Sequence, residues 1–104
     1  MHKSDIEYKV LKYFEDNPHL TQRQISRELG LSLGKTNYVI HALIDKGWLK
    51  LSNFKRSDNK LGYIYILTPE GIVNKSELTH SFLRRKSEEY DKLKEEIAML
   101  KKEL

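Results

Sequence analysis

The sequence predicts a mainly α fold with one small β-hairpin (α+β), continued by a long C-terminal helix. Three observations predict it. Apolar residues recur at three- and four-residue intervals in three separate segments before Gly47. Around 48–51 and 63–67 the pattern changes to short runs of aromatic and branched residues on either side of a polar stretch. From Glu70 to Leu104 no proline interrupts the chain, which leaves a helix of up to about 35 residues, long for a small domain.

The elements follow in order. Ser4 and Glu7 have capping-box spacing ahead of a first helix with Ile6, Val10, Leu11 and Phe14 on one face. Asn17-Pro18 ends it, because a residue before proline avoids helical angles. Thr21 and Gln24 repeat the capping signal, Ile25 and Leu29 supply an apolar face, and Gly30 stops this second, two-turn helix. Ser32 caps a third helix that carries Val39, Ile40, Leu43 and Ile44 inward and stops at Gly47. Trp48–Leu51 and Tyr63–Leu67 read as strands, and the turn-rich segment 54–62 between them as a hairpin tip. Thr68 caps the last helix, with Pro69 at its first position, where a missing amide hydrogen costs nothing.

Composition narrows the class. The 104 residues allow one domain and little else. With no cysteine, disulfides, thiolate metal sites and cysteine nucleophiles are all excluded, and a reducing cytoplasm is the expected setting. The apolar share is 38% and the charged share 33%, against roughly 45–50% and 25% in an average domain. A chain so charged is expected to be partly rod-like or to complete its core with a second copy. Neither a signal peptide nor a membrane-spanning run is expected. The net charge of +4 lies entirely in residues 1–75, while residues 76–104 balance seven cations against seven anions. The expected division is a domain over 1–75 and a dimerising helix over 76–104.

Only Gly30-Leu31-Ser32 separates the second and third helices, and this is helix-turn-helix spacing. In that arrangement the third helix enters the DNA major groove and the second crosses the backbone. The residues expected at the groove are Ser32, Gly34, Lys35, Thr36, Asn37, Tyr38 and His41, within an insertion over 33–41. Lys35 can donate to guanine or phosphate, Asn37 can pair with adenine through two hydrogen bonds, and Thr36 can meet a thymine methyl. Thr21, Gln22, Arg23 and Gln24 are expected to face phosphate, aided by the helix N-terminus. Lys50, Lys55, Arg56 and Lys60 against Asp58 give +3 over eleven residues. A basic hairpin directly after a helix-turn-helix is a wing that lies over neighbouring phosphates.

The stretch from Leu20 to Ile72 resembles the winged-helix domain of MarR-type transcriptional regulators. The resemblance rests on Leu20-Thr21-Gln22-Arg23-Gln24-Ile25-Ser26-Arg27-Glu28-Leu29-Gly30-Leu31-Ser32, on the helix exit His41–Leu49, and on the wing Arg56-Ser57-Asp58-Asn59-Lys60 leading into Leu67-Thr68-Pro69-Glu70-Gly71. Nearly the whole chain is similar to the short MarR-like regulators associated with exopolysaccharide operons. The resemblance implies wing contacts from Lys55, Arg56, Asp58, Asn59 and Lys60. Two departures stand out. In the family pattern an Asp orients an Arg two residues on, into the minor groove; here Lys60 follows Asp58 and lacks the planar guanidinium. The family's additional helices, which line an effector crevice, have no counterpart here, so a small-molecule effector is not carried over.

The C-terminal helix has a heptad seam. Leu83, Tyr90, Ile97 and Leu104 are seven apart, with Leu93 and Leu100 three after Tyr90 and Ile97. Ser76, Thr79 and Lys86 weaken the seam upstream, where Ile72, Leu78 and Phe82 are expected to pack on the winged-helix body or its partner, the dimer gaining further contacts near Phe82 and the first helix. Glu89, Glu96 and Glu103 flank one side, and Ser87, Lys94 and Lys101 the other. Parallel helices pair Glu89 with Lys94 and Glu96 with Lys101, whereas antiparallel ones juxtapose like charges, so a parallel homodimer is expected. Each such pair contributes only ~0.2–1 kcal/mol, a bias between arrangements.

His2, His19, His41 and His80 are scattered, with no metal-ligand spacing, and neither a phosphate-binding glycine loop nor a serine elbow occurs. No metal, cofactor or catalysis is expected. The expectation is a homodimeric, sequence-specific regulator of double-stranded DNA, a repressor by occlusion, on a palindromic operator. The rival readings are a protein-interaction adaptor that docks through the C-terminal helix and an RNA-binding winged helix.

Overall fold

The computed structural model describes residues 2–55, 58 and 61–104. The element order is α1 (Lys3–Asp16), α2 (Gln22–Leu29), α3 (Leu33–Asp45), β1 (Leu49–Lys55), β2 (Leu61–Leu67) and α4 (Pro69–Lys102). The mainly α architecture with one antiparallel hairpin is as expected. Both strands run longer than the apolar runs alone indicate, pairing from Leu49–Leu67 out to Lys55–Leu61.

Helix ends follow local chemistry at three of the four starts. Thr21 and Gln24 form the reciprocal capping box, and Ser32 Oγ accepts from the Lys35 amide at 3.1 Å. Thr68 Oγ1 accepts from the Gly71 amide at 3.0 Å. The first helix corrects the expectation. Its cap is His2, whose Nδ1 accepts from the Ser4 amide at 3.2 Å, and the Ser4–Glu7 box is absent. Glu7 faces inward instead and pairs with Lys46 at the end of α3. A buried carboxylate gains more from a cation than from an exposed amide it can leave to water.

Ile6, Val10, Leu11 and Phe14 of α1 meet Ile25 and Leu29 of α2 and Val39, Ile40 and Leu43 of α3, with Leu49 closing the core. The hairpin docks at its base on this body. Tyr65 packs its ring, tilted by 37°, on Phe14 with centroids 4.8 Å apart, and its amide donates to the Pro18 carbonyl at 3.3 Å. Farther out, Phe54 meets the edge of His19 at 4.7 Å.

The root of α4 is held by backbone. Gly47 turns the chain at φ +78°, and the Thr68 amide donates to the Trp48 carbonyl at 3.0 Å. The Thr68 hydroxyl donates to the Gly47 carbonyl. Gly71 then lies so close that a Cβ there would stand 2.0 Å from the Trp48 carbonyl oxygen. Lys46 places its ammonium 4.6 Å from the centre of the Trp48 ring while also pairing with Glu7.

From this root α4 runs unbroken through the expected boundary at residue 75 and lies antiparallel along α1. Lys75 pairs with Glu15 at 2.8 Å, Phe82 stacks on Tyr8 at 4.8 Å, and Arg85 binds Asp5 and, at 2.8 Å, Ser4 Oγ. Residues 86–104, beyond the start of α1, are exposed throughout. The helix of 34 residues spans about 51 Å at ~1.5 Å per residue and makes the molecule elongated, 65 × 26 × 22 Å.

Two outcomes follow. Gly71→Ala lowers unfolding stability in urea titrations by about 1–3 kcal/mol through overpacking against backbone, whereas Gly34→Ala, which meets nothing within 4 Å, raises it by about 0.5–1 kcal/mol. The hydrogen bond from Arg85 holds the Asp5 carboxyl below its ordinary value of 3.8. A depressed carboxylate stabilises the fold above its unfolded value, and this contribution is lost as pH falls through the folded one. Thermal unfolding of Asp5→Asn therefore falls below that of the parent at neutral pH, and the two converge in strong acid.

Candidate nucleic-acid interface

The turn between α2 and α3 closes through left-handed Gly30 at φ +67°, with the Leu31 amide donating to the Ser26 carbonyl at 3.0 Å. This sets α3 across α2 with one face outward. Gly34, Lys35, Asn37, Tyr38 and His41 are exposed on it, Tyr38 at 67%. Helical geometry puts Asn37 on the flank toward α2 and Lys35 on the flank toward α1. The Lys35 ammonium stands 5.8 Å from the centre of the Tyr38 ring. Both residues border a groove of about 270 Å³ whose floor includes Ile6 and Val39.

Thr36 is a correction. It is 0% exposed and belongs to the core stripe with Val39, Ile40 and Leu43, so it cannot meet a base. Its hydroxyl is satisfied internally, donating to the Ser32 carbonyl at 3.0 Å. Such back-bonding one turn up the helix is how threonine tolerates burial. Ser32 is exposed, with its hydroxyl on the Lys35 amide.

On α2 the expected phosphate-facing residues divide by role. Arg23 is exposed. The side chains of Thr21 and Gln24 are taken up by the capping box, at 3.1 and 2.8 Å. Gln22 is half-buried and bonded on both sides: its Oε1 accepts from Asn37 Nδ2 at 3.0 Å, and its Nε2 donates to the Tyr65 hydroxyl at 3.0 Å. Tyr65, 43 residues from Gln22 in sequence, is an addition that no local motif signals. Its apolar-strand setting reads as packing, and only the fold brings its hydroxyl to α2.

On the hairpin, Lys50, Lys55 and Asp58 are exposed. Arg56, Asn59 and Lys60 lie outside the described residues. On α4, Leu83, Tyr90, Leu93, Ile97 and Leu100 are all exposed, as is Leu104 just beyond its end. The Phe82 ring packs on the body of its own chain, one of the two placements expected for it: it stacks on Tyr8, with Lys9 and Lys86 also within 6 Å. Among the described residues no cluster of three or more His, Cys, Asp or Glu could hold a metal ion, and no helix is long and apolar enough to cross a membrane.

Residues 3–50 match the model of the winged helix-turn-helix DNA-binding family. No curated protein matches the chain in sequence. Among solved structures, the chain is similar to a MarR protein from Peptoclostridium difficile, at TM-score 0.62 and 17% identity over 82% of this chain and 54% of that one. It is similar to Staphylococcus aureus MarR in complex with salicylate and kanamycin, at TM-score 0.59 and 15% identity over 83% and 56%. It is also similar to the PcaV transcriptional regulator from Streptomyces coelicolor, at TM-score 0.60 and 20% identity over 95% and 79%. The chain thus spans about half the length of the first two proteins. Residues 3–50 thus match a winged helix-turn-helix DNA-binding family, and the chain shares the MarR-type fold of these structures.

Proposed function

We propose that the protein is a sequence-specific, double-stranded DNA-binding repressor that acts as a homodimer. The observation that carries this reading is the outward face of α3. Small, polar and cationic side chains occupy it, it is free of packing, and it lies next to a capped α2 and a hairpin with exposed Lys50 and Lys55. Gly34 has no neighbour to avoid inside the protein, so its missing side chain serves an approach from outside. Residues 33–41 enter the major groove, Asn37 reads a base, and Arg23 and the wing cations neutralise phosphates.

The division into a DNA-binding body over 1–75 and a dimerising helix over 76–104 follows from the same reading. Tyr90, Leu93, Ile97 and Leu100 of the seam are all exposed, beyond the last contacts of α4 with α1 among the described residues. A second copy covers it in a parallel coil, with Glu89 and Glu96 beside Lys94 and Lys101 of the partner. A twofold dimer recognises a palindrome with half-sites about 10 bp, or a multiple, apart, and repression follows from occluding polymerase.

Selection from random duplex DNA, followed by titrations at several salt concentrations, tests the DNA-binding reading. Lys55→Ala weakens binding to all sequences and lowers the salt slope by about 1. Asn37→Ala removes about 1–3 kcal/mol of discrimination at one base position per half-site. Unchanged site preference in that variant places the reading helix elsewhere, and salt-insensitive retention on duplex DNA points to the adaptor instead. For the coil, sedimentation of the full chain carrying Leu93→Lys and Ile97→Lys yields monomer where the parent is dimeric; a dimer that persists locates the interface on the body.

A further inference from the structure

The side chain assigned to base reading is anchored through a relay that begins on the wing. Tyr65 is held at three points: its ring on Phe14 at 4.8 Å, its amide on the Pro18 carbonyl at 3.3 Å, and its register opposite Leu51 in the hairpin. Its phenol oxygen is therefore a fixed point. It accepts from Gln22 Nε2 at 3.0 Å, and Gln22 Oε1 accepts from Asn37 Nδ2 at 3.0 Å. Three elements, β2, α2 and α3, meet in this line of two hydrogen bonds.

The relay leaves Asn37 with a defined remainder. A carboxamide offers two N–H donors and one oxygen acceptor. If the N–H given to Gln22 is the one trans to Oδ1, the other N–H and Oδ1 lie side by side, the donor–acceptor pair that matches N7 and N6 of adenine. An unanchored asparagine on an exposed helix face samples several rotamers and either amide orientation, and it must lose that freedom on binding. An anchored one reaches the base edge with the choice already made.

We infer that Tyr65 is a positioning residue for sequence recognition: through Gln22 it holds Asn37 ready to read adenine in the major groove. This rests on the DNA-binding reading proposed above. Tyr65 touches no DNA in this role; it is rigid because it belongs to the core, and Gln22 transmits that rigidity. Gln22 thereby serves orientation in place of the phosphate contact expected from its position.

The test compares base preference profiles of the full-length parent, Tyr65→Phe, Gln22→Ala and Asn37→Ala on duplexes varied at each operator position. The phenylalanine keeps the ring on Phe14 and removes only the hydroxyl. The expected result is a roughly three- to tenfold loss of discrimination for adenine in Tyr65→Phe. That loss falls at the same position that Asn37→Ala affects, with thermal midpoint and salt slope retained. In an Asn37→Ala background, Tyr65→Phe has no further effect on the profile, the mark of residues acting as one unit. Gln22→Ala breaks the relay without touching the core and gives the same loss if the phenylalanine variant folds poorly. A parental profile in both relay variants overturns the inference, as does a change at a different position or full additivity with Asn37→Ala. A parent with no base preference at all overturns the DNA-reading assignment itself, and the relay with it.

Discussion

The close approach of the α4 root to the Gly47–Trp48 backbone is the constraint on which the other arrangements depend. Thr68 bonds the carbonyls of both residues, and Gly71 allows the helix to lie where any side chain would strike the Trp48 carbonyl. One contact therefore joins three things: the end of α3, the base of both strands, and the departure of α4. Once the strands start from Leu49 and end at Leu67, their ladder delivers Tyr65 to Phe14 and its hydroxyl to α2. Once α4 leaves in this direction, Lys75, Phe82 and Arg85 meet Glu15, Tyr8 and Asp5 in turn along one face of α1. Backbone sets this joint, so it has little freedom to relax.

The charged contacts around it act on a different scale. Lys46 lies between the Trp48 ring and the buried Glu7 carboxylate, tying the start of α1 to the exit of α3. Arg85 does the same for α1 and α4 through Asp5 and Ser4. Partly shielded pairs of this kind fix geometry more than they add stability, since desolvation offsets much of the attraction. Their value to the fold is orientation. They choose which turn of one helix faces which turn of another after apolar burial has brought the helices together.

What could be read from the chain was whatever depended on neighbours a few residues away. The Thr21–Gln24 box, the Ser32 and Thr68 caps, the stops at Gly30 and Gly47, and the length of α4 are all chemistry within one turn of helix. Ser4 and Glu7 share that spacing, yet Lys46, 39 residues away, competes for the glutamate. The polarity of Thr36 suggests an outward position, whereas its angle on α3 matches Ile40 and Leu43 and marks it as inward. Gly71 could be seen as an interruption but not as a contact, because Trp48 is 23 residues upstream. The candidate site divides the same way: the outward face of α3 follows from periodicity, while the Tyr65–Gln22–Asn37 line depends on a hairpin register that no local pattern encodes.

The free end of α4 acts as a lever arm. Residues 87–102 project about 24 Å past the last contact with α1, so a swing of 10° at the anchored half moves the tip by about 4 Å. In the dimer proposed above, where two copies meet along their distal seams, that leverage would work in reverse as well, and a small play at the tips would become a still smaller tilt of each body. The distance between the two α3 helices would then be governed by the stiffness of one joint and the straightness of one helix. Side chains far from α3 would thereby act as a gauge for the spacing of the two bodies, and an insertion of one residue in the unsupported stretch would rotate that gauge by about 100° without changing a residue of α3.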